Sequence, residues 1–193
     1  MTKFLTKYSS IEVISMVHRL VASVLITLLL LLPTWSQVRE RDPLTEKEVD
    51  QLRETAIEPE KRLKLMVEFT RARMVAIEQL RSDPKLAKER GQRTHDLLED
   101  IATLVDEIDD NVENYNERSA DLRKPLKQIV EMDTDFQLKL RELRAAADDP
   151  KNKDEAADYK FSLEDAIDSV NRSAESSRKL LEEHNVKFAK KKK

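Results

Sequence analysis

The chain has 193 residues, with one glycine, six prolines and no cysteine, and 38% of its residues are charged for a net charge of −3. Without cysteine there is no disulfide scaffold, thiolate metal site, cysteine nucleophile or c-type haem attachment. The single glycine, Gly91, excludes Gly-rich phosphate loops, the dinucleotide fingerprint and the EF-hand turn. It also leaves β-hairpins and bulges without their usual turn residue, so the expected fold class is all-α.

The first element in chain order is an apolar run, LVASVLITLLLLL, over residues 20–32. Lys3, Lys7, His18 and Arg19 precede it, and Pro33 to Gln37 follow it. That layout is the basic, apolar and small-residue order of a secretory signal peptide. As a helix the run covers roughly 20 Å, short of the ~30 Å bilayer core, so it suits a cleaved leader better than a permanent span. Thr34 and Ser36 supply the small residues for a cut before Gln37. Reading from Met16 gives a more compact leader, which makes residues 1–15 an expected upstream extension. Cleavage would remove Trp35, the one tryptophan. The remaining chain would carry a net charge of −5, or −9 without the four terminal lysines Lys190–Lys193. An acidic body repels nucleic acid, so none is expected as a partner. Export and the lack of cysteine point to a periplasmic or secreted protein of a bacterial envelope.

Residues 37–44 read as a linker, 45–189 as the helical domain and 190–193 as a basic tail. Thr45 and Glu48 form a capping box for the first helix. Pro59 opens a second, whose stripe is Leu63, Met66, Phe69 or Thr70, Met74, Ile77 and Leu80. Ser82-Asp83-Pro84 and Asp148-Asp149-Pro150 each present a cap followed by proline at a helix start, although Asn152 and Asp154 point to a start of the last helix slightly later than Pro150. Gly91 either ends a short helix begun at Pro84 or sits inside a longer one.

Leu98, Ile101, Val105, Ile108, Val112 and Tyr115 step by three and four, a heptad seam. The step continues through Ser119, Leu122, Leu126 and Ile129, meets a mismatch at Asp133, and resumes at Phe136, Leu140 and Leu143. Two readings of residues 117–125 follow. The chain turns near Asn116–Ser119, with Ser119 or Asp121 capping a new helix, or one helix runs on and kinks at Pro125. The ~3 kcal/mol penalty of an interior proline and the matching of helix lengths favour the turn. The last seam is Leu163, Ile167, Val170, Ala174, Ser177, Leu181, His184 and Phe188. The expected architecture is an elongated antiparallel four-helix, coiled-coil-like bundle. Leu98-Glu99-Asp100 with Val105 echoes Leu163-Glu164-Asp165 with Val170. Amphipathic helices of like composition resemble one another, so the echo is read as chance rather than as a duplicated hairpin.

The chemistry-bearing residues form no catalytic constellation. Neither His95 nor His184 follows a glutamate by three, so the di-iron carboxylate pattern is missing. Met66, Met74 and Met132 could pair with a histidine on haem, but at helical spacing they read as core filling. Asp106, Asp110, Glu113 and Glu117, with Asp109 beside them, make either a divalent-cation patch or the solvated face opposite the seam; the solvated face is favoured. Ser169, Ser173, Ser176 and Ser177 are expected to point outward from a thinly apolar helix. Asn171-Arg172-Ser173 matches a glycosylation acceptor but lies mid-helix. The lysine tail suits a helix C-terminus and could touch anionic headgroups. No catalytic, cofactor or metal residue is therefore assigned. The functional expectation is an exported, non-enzymatic bundle acting through a protein partner or self-association. The alternatives are a holdase-type chaperone or cargo binder, and a small-ligand or divalent-metal sensor.

Overall fold

Proline and capping residues set the helix boundaries. The computed structural model describes residues 41–189. The expected leader, its Met16 start, Trp35 and the tail Lys190–Lys193 lie outside them, as do residues 37–40 of the linker. Residues from Asp42 onward belong to one unit. Among the described residues the secondary structure is all helical: α1 (Glu46–Glu54), α2 (Pro59–Ser82), α3 (Arg90–Glu117), α4 (Arg123–Ala147) and α5 (Lys153–Ala189). None of these helices is long and apolar enough to cross a membrane.

The Thr45–Glu48 capping box forms as expected, with Thr45 N–H donating to Glu48 Oε2 at 2.8 Å and Glu48 N–H to Thr45 Oγ1 at 3.3 Å. Its glutamate does more than cap. Arg73 of α2 forks onto both Glu48 oxygens and donates to the Pro43 carbonyl at 2.6 Å. The Arg73 hydrogen bond holds the Glu48 carboxyl down at about 2, against the opposing effect of burial. This fork latches α1 and the entering strand of chain to α2, with Asp100 of α3 3.9 Å from the guanidinium.

Three boundaries depart from expectation or choose between alternatives. Asp83 and Asp149 cap 3-10 turns, Pro84–Leu86 and Pro150–Asn152, rather than helices. The long helices begin after those turns, at Arg90 and Lys153. Gly91 does not end a short helix begun at Pro84; it sits inside the longer one, as the second residue of α3. A Cβ there would run into the Asp158 side chain of α5, so a larger residue would require the exposed Asp158 to shift. At residues 118–122 the chain turns. Ser119 adopts a left-handed φ of 60°, and the Ala120 N–H closes onto the Tyr115 carbonyl at 3.1 Å. Asp121 accepts from the Arg123 N–H at 3.2 Å, and Pro125 falls in the first turn of α4, where its missing N–H leaves no gap. The heptad phase that ran through Ser119 and Leu122 was therefore a coincidence of spacing.

The four long helices pack in a ring: α2 lies against α3 and α4, and α5 lies against α3 and α4. Cross-helix pairs fix the directions. Arg62 Nε meets Asn111 Oδ1 at 3.1 Å and Arg73 faces Asp100, so α2 and α3 are antiparallel. Gln137 meets Asn171 at 2.9 Å and Arg144 meets Glu164 at 3.2 Å, so α4 and α5 are antiparallel too. The other two ring contacts are parallel. His95 meets Ser162 and Asn116 meets His184 across α3 and α5, while Glu60 meets Lys124 and Glu78 meets Lys139 across α2 and α4. Direction alternates along the chain as expected, but the wholly antiparallel set of neighbours does not hold. A short connection forces reversal without forcing adjacency, and α3 and α4 stand across the ring from each other.

This arrangement is two antiparallel hairpins, α2–α3 and α4–α5, set side by side in the same direction, and they are built alike. Both connections carry the same turn: Asp83-Pro84-Lys85 recurs as Asp149-Pro150-Lys151, and in each the aspartate accepts from the lysine N–H at 2.9 Å. In that register Pro59 matches Pro125, and the buried Leu63, Met66, Met74 and Ile77 match the buried Ile129, Met132, Leu140 and Leu143. One residue out of that register, α3 matches α5: Gly91 with Ala156, Thr94 with Tyr159, Leu98 with Leu163, Ile101 with Ala166 and Val105 with Val170, all buried. The echo read as chance is thus one part of a structural repeat.

Candidate functional site

The two hairpins differ in what they put at equivalent core positions. Where α3 carries Leu104, Ile108 and Val112, α5 carries Ser169, Ser173 and Ser177, and all six are buried. Where α2 carries the buried Val67, α4 carries Asp133. The serines thus face inward, contrary to the outward placement expected of them. Their spacing of four puts them on the stripe that α5 turns toward the ring, while Ser176 stays outside.

Asp133 is 0% exposed, and neither of its oxygens has a hydrogen-bond partner. Burial first, and then the charge of Asp109, push its carboxyl up to about 7. Ser173 of α5, Arg178 of α5 and Arg71 of α2 act the other way. The Ser173 hydroxyl is the nearby donor, and it donates to Asp109 Oδ1 at 2.9 Å. One hydroxyl hydrogen therefore stands between two carboxyls on different helices. Asp109 is itself pushed up to about 6, by burial first, with Asp106 and Asp110 adding to the effect and Ser173 and Arg172 opposing it. A buried carboxyl without partners favours its neutral form, which can donate as well as accept.

Asp109 and Ser177 also line a groove of about 460 Å³ between α3 and α5. Asp110, Glu113 and Glu183 stand along it, with Arg172 and Lys179 as its cations. Arg172 donates to Asp106 at 3.1 Å and to Ser169 Oγ at 3.1 Å. The Ser177 hydroxyl is 1% exposed and has no hydrogen-bond partner. Val112 of α3, the residue at the position matching Ser177, lines the groove as well.

The other singled-out residues are placed as follows. Met66, Met74 and Met132 are buried in the core. His95 bridges Ser162 at 3.1 Å and Glu99 at 3.2 Å. His184 is buried at the far end of α5. Its Nδ1 accepts from the Leu122 N–H at 3.3 Å and its Nε2 lies 2.9 Å from Asn116 Oδ1, which requires the Nε2–H tautomer. It pins the 118–122 turn to α5. Asp106, Asp110, Glu113 and Glu117 are exposed, and only Asp109 beside them turns inward. Among the described residues no group of three or more histidines or carboxylates is placed to hold a metal ion. Asn171 of the glycosylation triplet is taken by Gln137, and Ser173 of the triplet is buried.

The cluster of Asp109, Asp133, Ser173 and Ser177 was not assembled from the sequence. Its signals were present singly: a mismatch at Asp133, an aspartate off the stripe, and serines spaced by four. Comparisons with protein families, curated proteins and solved structures each return no match to this chain.

Proposed function

We propose that the chain is an exported, non-enzymatic four-helix bundle, coiled-coil-like in its packing, that holds a segment of a partner protein in the groove between α3 and α5. One observation carries the reading. The second hairpin has small or polar side chains at four core positions where the first has aliphatic ones, and one of the four, Ser177, lines the groove. Replacing a buried aliphatic residue with a small polar one forfeits about 1–3 kcal/mol per position. The first hairpin keeps aliphatic residues at those matching positions, and on this reading the polar ones serve a need other than folding.

The export part rests on the apolar run at 20–32 and its flanks, which point to a bacterial periplasm or the cell exterior. A holdase role has less support, because the exposed large apolar side chains are spread over the α1–α2 connection (Ile57), α2 (Val75), α4 (Leu138) and α5 (Phe161 and Val186). The deciding experiment is capture of binding partners from an envelope extract by the wild type and by Ser177→Leu, which puts a large aliphatic side chain into the groove wall. A partner retained by the wild type and lost by the variant supports the groove. Equal retention by both removes it.

A further inference from the structure

We propose that the α3–α5 groove takes an alkylammonium group, seated between the Asp109 carboxylate and the Ser177 hydroxyl. The inference rests on the groove reading above and names the chemistry of what the groove holds.

Two independent features point the same way. The first is the unpartnered Ser177 hydroxyl, 1% exposed and lining the groove. A buried hydroxyl left without a partner is destabilising, and a ligand able to bond it restores the loss. The second is the charge around it. Asp109, Asp110, Glu113 and Glu183 face Arg172 and Lys179, and Arg172 is already engaged by Asp106 and Ser169. The wall is therefore anionic and built of acceptors. A primary ammonium is the matching shape, with three N–H donors and no acceptor. Ser173 engages one Asp109 oxygen, and the carboxylate keeps acceptor capacity beyond it. A hard divalent cation is a poor match. It takes six or more oxygens, and the described residues hold no cluster suited to one.

The seat is linked to protons. Asp109 faces Asp106 and Asp110 on its own helix, Arg172 and Ser173 on α5, and Asp133 on α4. In acid its carboxyl is neutral and no longer attracts a cation. Ammonium binding at the seat then weakens as pH falls.

The same chemistry could come from a free alkylamine or from a lysine side chain of a peptide, and the test separates them. The full-length chain is titrated calorimetrically with butylammonium, with Nα-acetyl-lysine methylamide and with tetramethylammonium. The expected result is saturable binding of the first two and none of tetramethylammonium, which has the charge but no N–H. The tighter of the first two identifies the source. Asp109→Asn should weaken binding at least about tenfold and Ser177→Ala about fivefold, with helicity unchanged. Moving from pH 7.5 to pH 5 should weaken it about tenfold as Asp109 protonates. If Asp109→Asn does not fold, Ser177→Ala and the pH series decide. Absence of saturable binding, indifference to both variants, or equal binding of tetramethylammonium overturns the proposal. Should amines fail while Ser177→Leu still abolishes partner capture, the ligand class is wrong and the groove stands. If Ser177→Leu changes nothing, the groove reading fails by itself.

Discussion

Replacing Asp133 with asparagine removes a titratable carboxyl from the core and keeps the side-chain shape. In the folded chain the Asp133 carboxyl sits at about 7 against an ordinary 3.8, because it is buried beside Asp109. A folded value above the unfolded one means that the native state binds the extra proton. Stability is then greatest below the unfolded value and declines as pH rises from about 4 through about 7. Full ionisation in the folded state corresponds to ~4 kcal/mol, and the part that falls between pH 5 and pH 8 is ~2.5 kcal/mol. The substituted amide does not titrate, and it can donate toward Asp109. Urea denaturation followed by helical circular dichroism should therefore show the Asp133→Asn variant gaining on the wild type by ~2–3 kcal/mol between pH 5 and pH 8. Parallel stability profiles for the two proteins across that range would refute the reasoning. Asp133 would then be ionised and solvated in the folded state.

Three further outcomes follow from the geometry. His184→Ala should lower stability by ~1–3 kcal/mol, with faster hydrogen exchange at the Leu122 amide that His184 accepts. Burial lowers the His184 pKa, so its contribution is whole above about pH 6.5 and fades as pH falls below that, which the same exchange measurement can follow. Ser119→Gly should raise the melting temperature, reflecting ~0.5–1 kcal/mol, because serine holds a left-handed φ of 60° there; a lower melting temperature would show that the turn is set otherwise. Arg73→Met should lower stability by ~3 kcal/mol by stranding Glu48, and it should expose α1 to proteolysis ahead of the other helices. Uniform cleavage across the chain would show that Arg73 is not the latch.

The helices, their proline boundaries and the buried stripes were legible in the sequence because each is a local signal. Pro59, the Thr45–Glu48 box and the seam from Leu98 to Tyr115 act within a turn or two of themselves. Ring order was not legible. A five-residue connection reverses the chain whether or not its two helices touch. Ser119 hid because its left-handed turn preserves the heptad phase that would mark a continuous helix. The groove hid for a related reason. A serine spaced by four from another serine looks solvated until the aliphatic residue at the matching place in the other hairpin shows that the position is core. Asp133 was visible only as a mismatch, and its raised pKa depends first on burial within the ring and then on Asp109, a residue from another helix.

The repeat also bears on how the molecule breathes. Each hairpin closes through a short turn, so most stabilising contacts within it join residues close along the chain, a topology that folds fast and in parts. The two parts differ at one stretch, where α5 meets its neighbours with serines and α3 with leucine, isoleucine and valine. Less apolar area is buried there, so α5 from Ser169 to Ser177 is expected to open locally below the free energy of global unfolding, which hydrogen exchange at its amides would show. The proposed groove borders that stretch at Ser177, so occupancy of the groove and local opening of α5 would be linked.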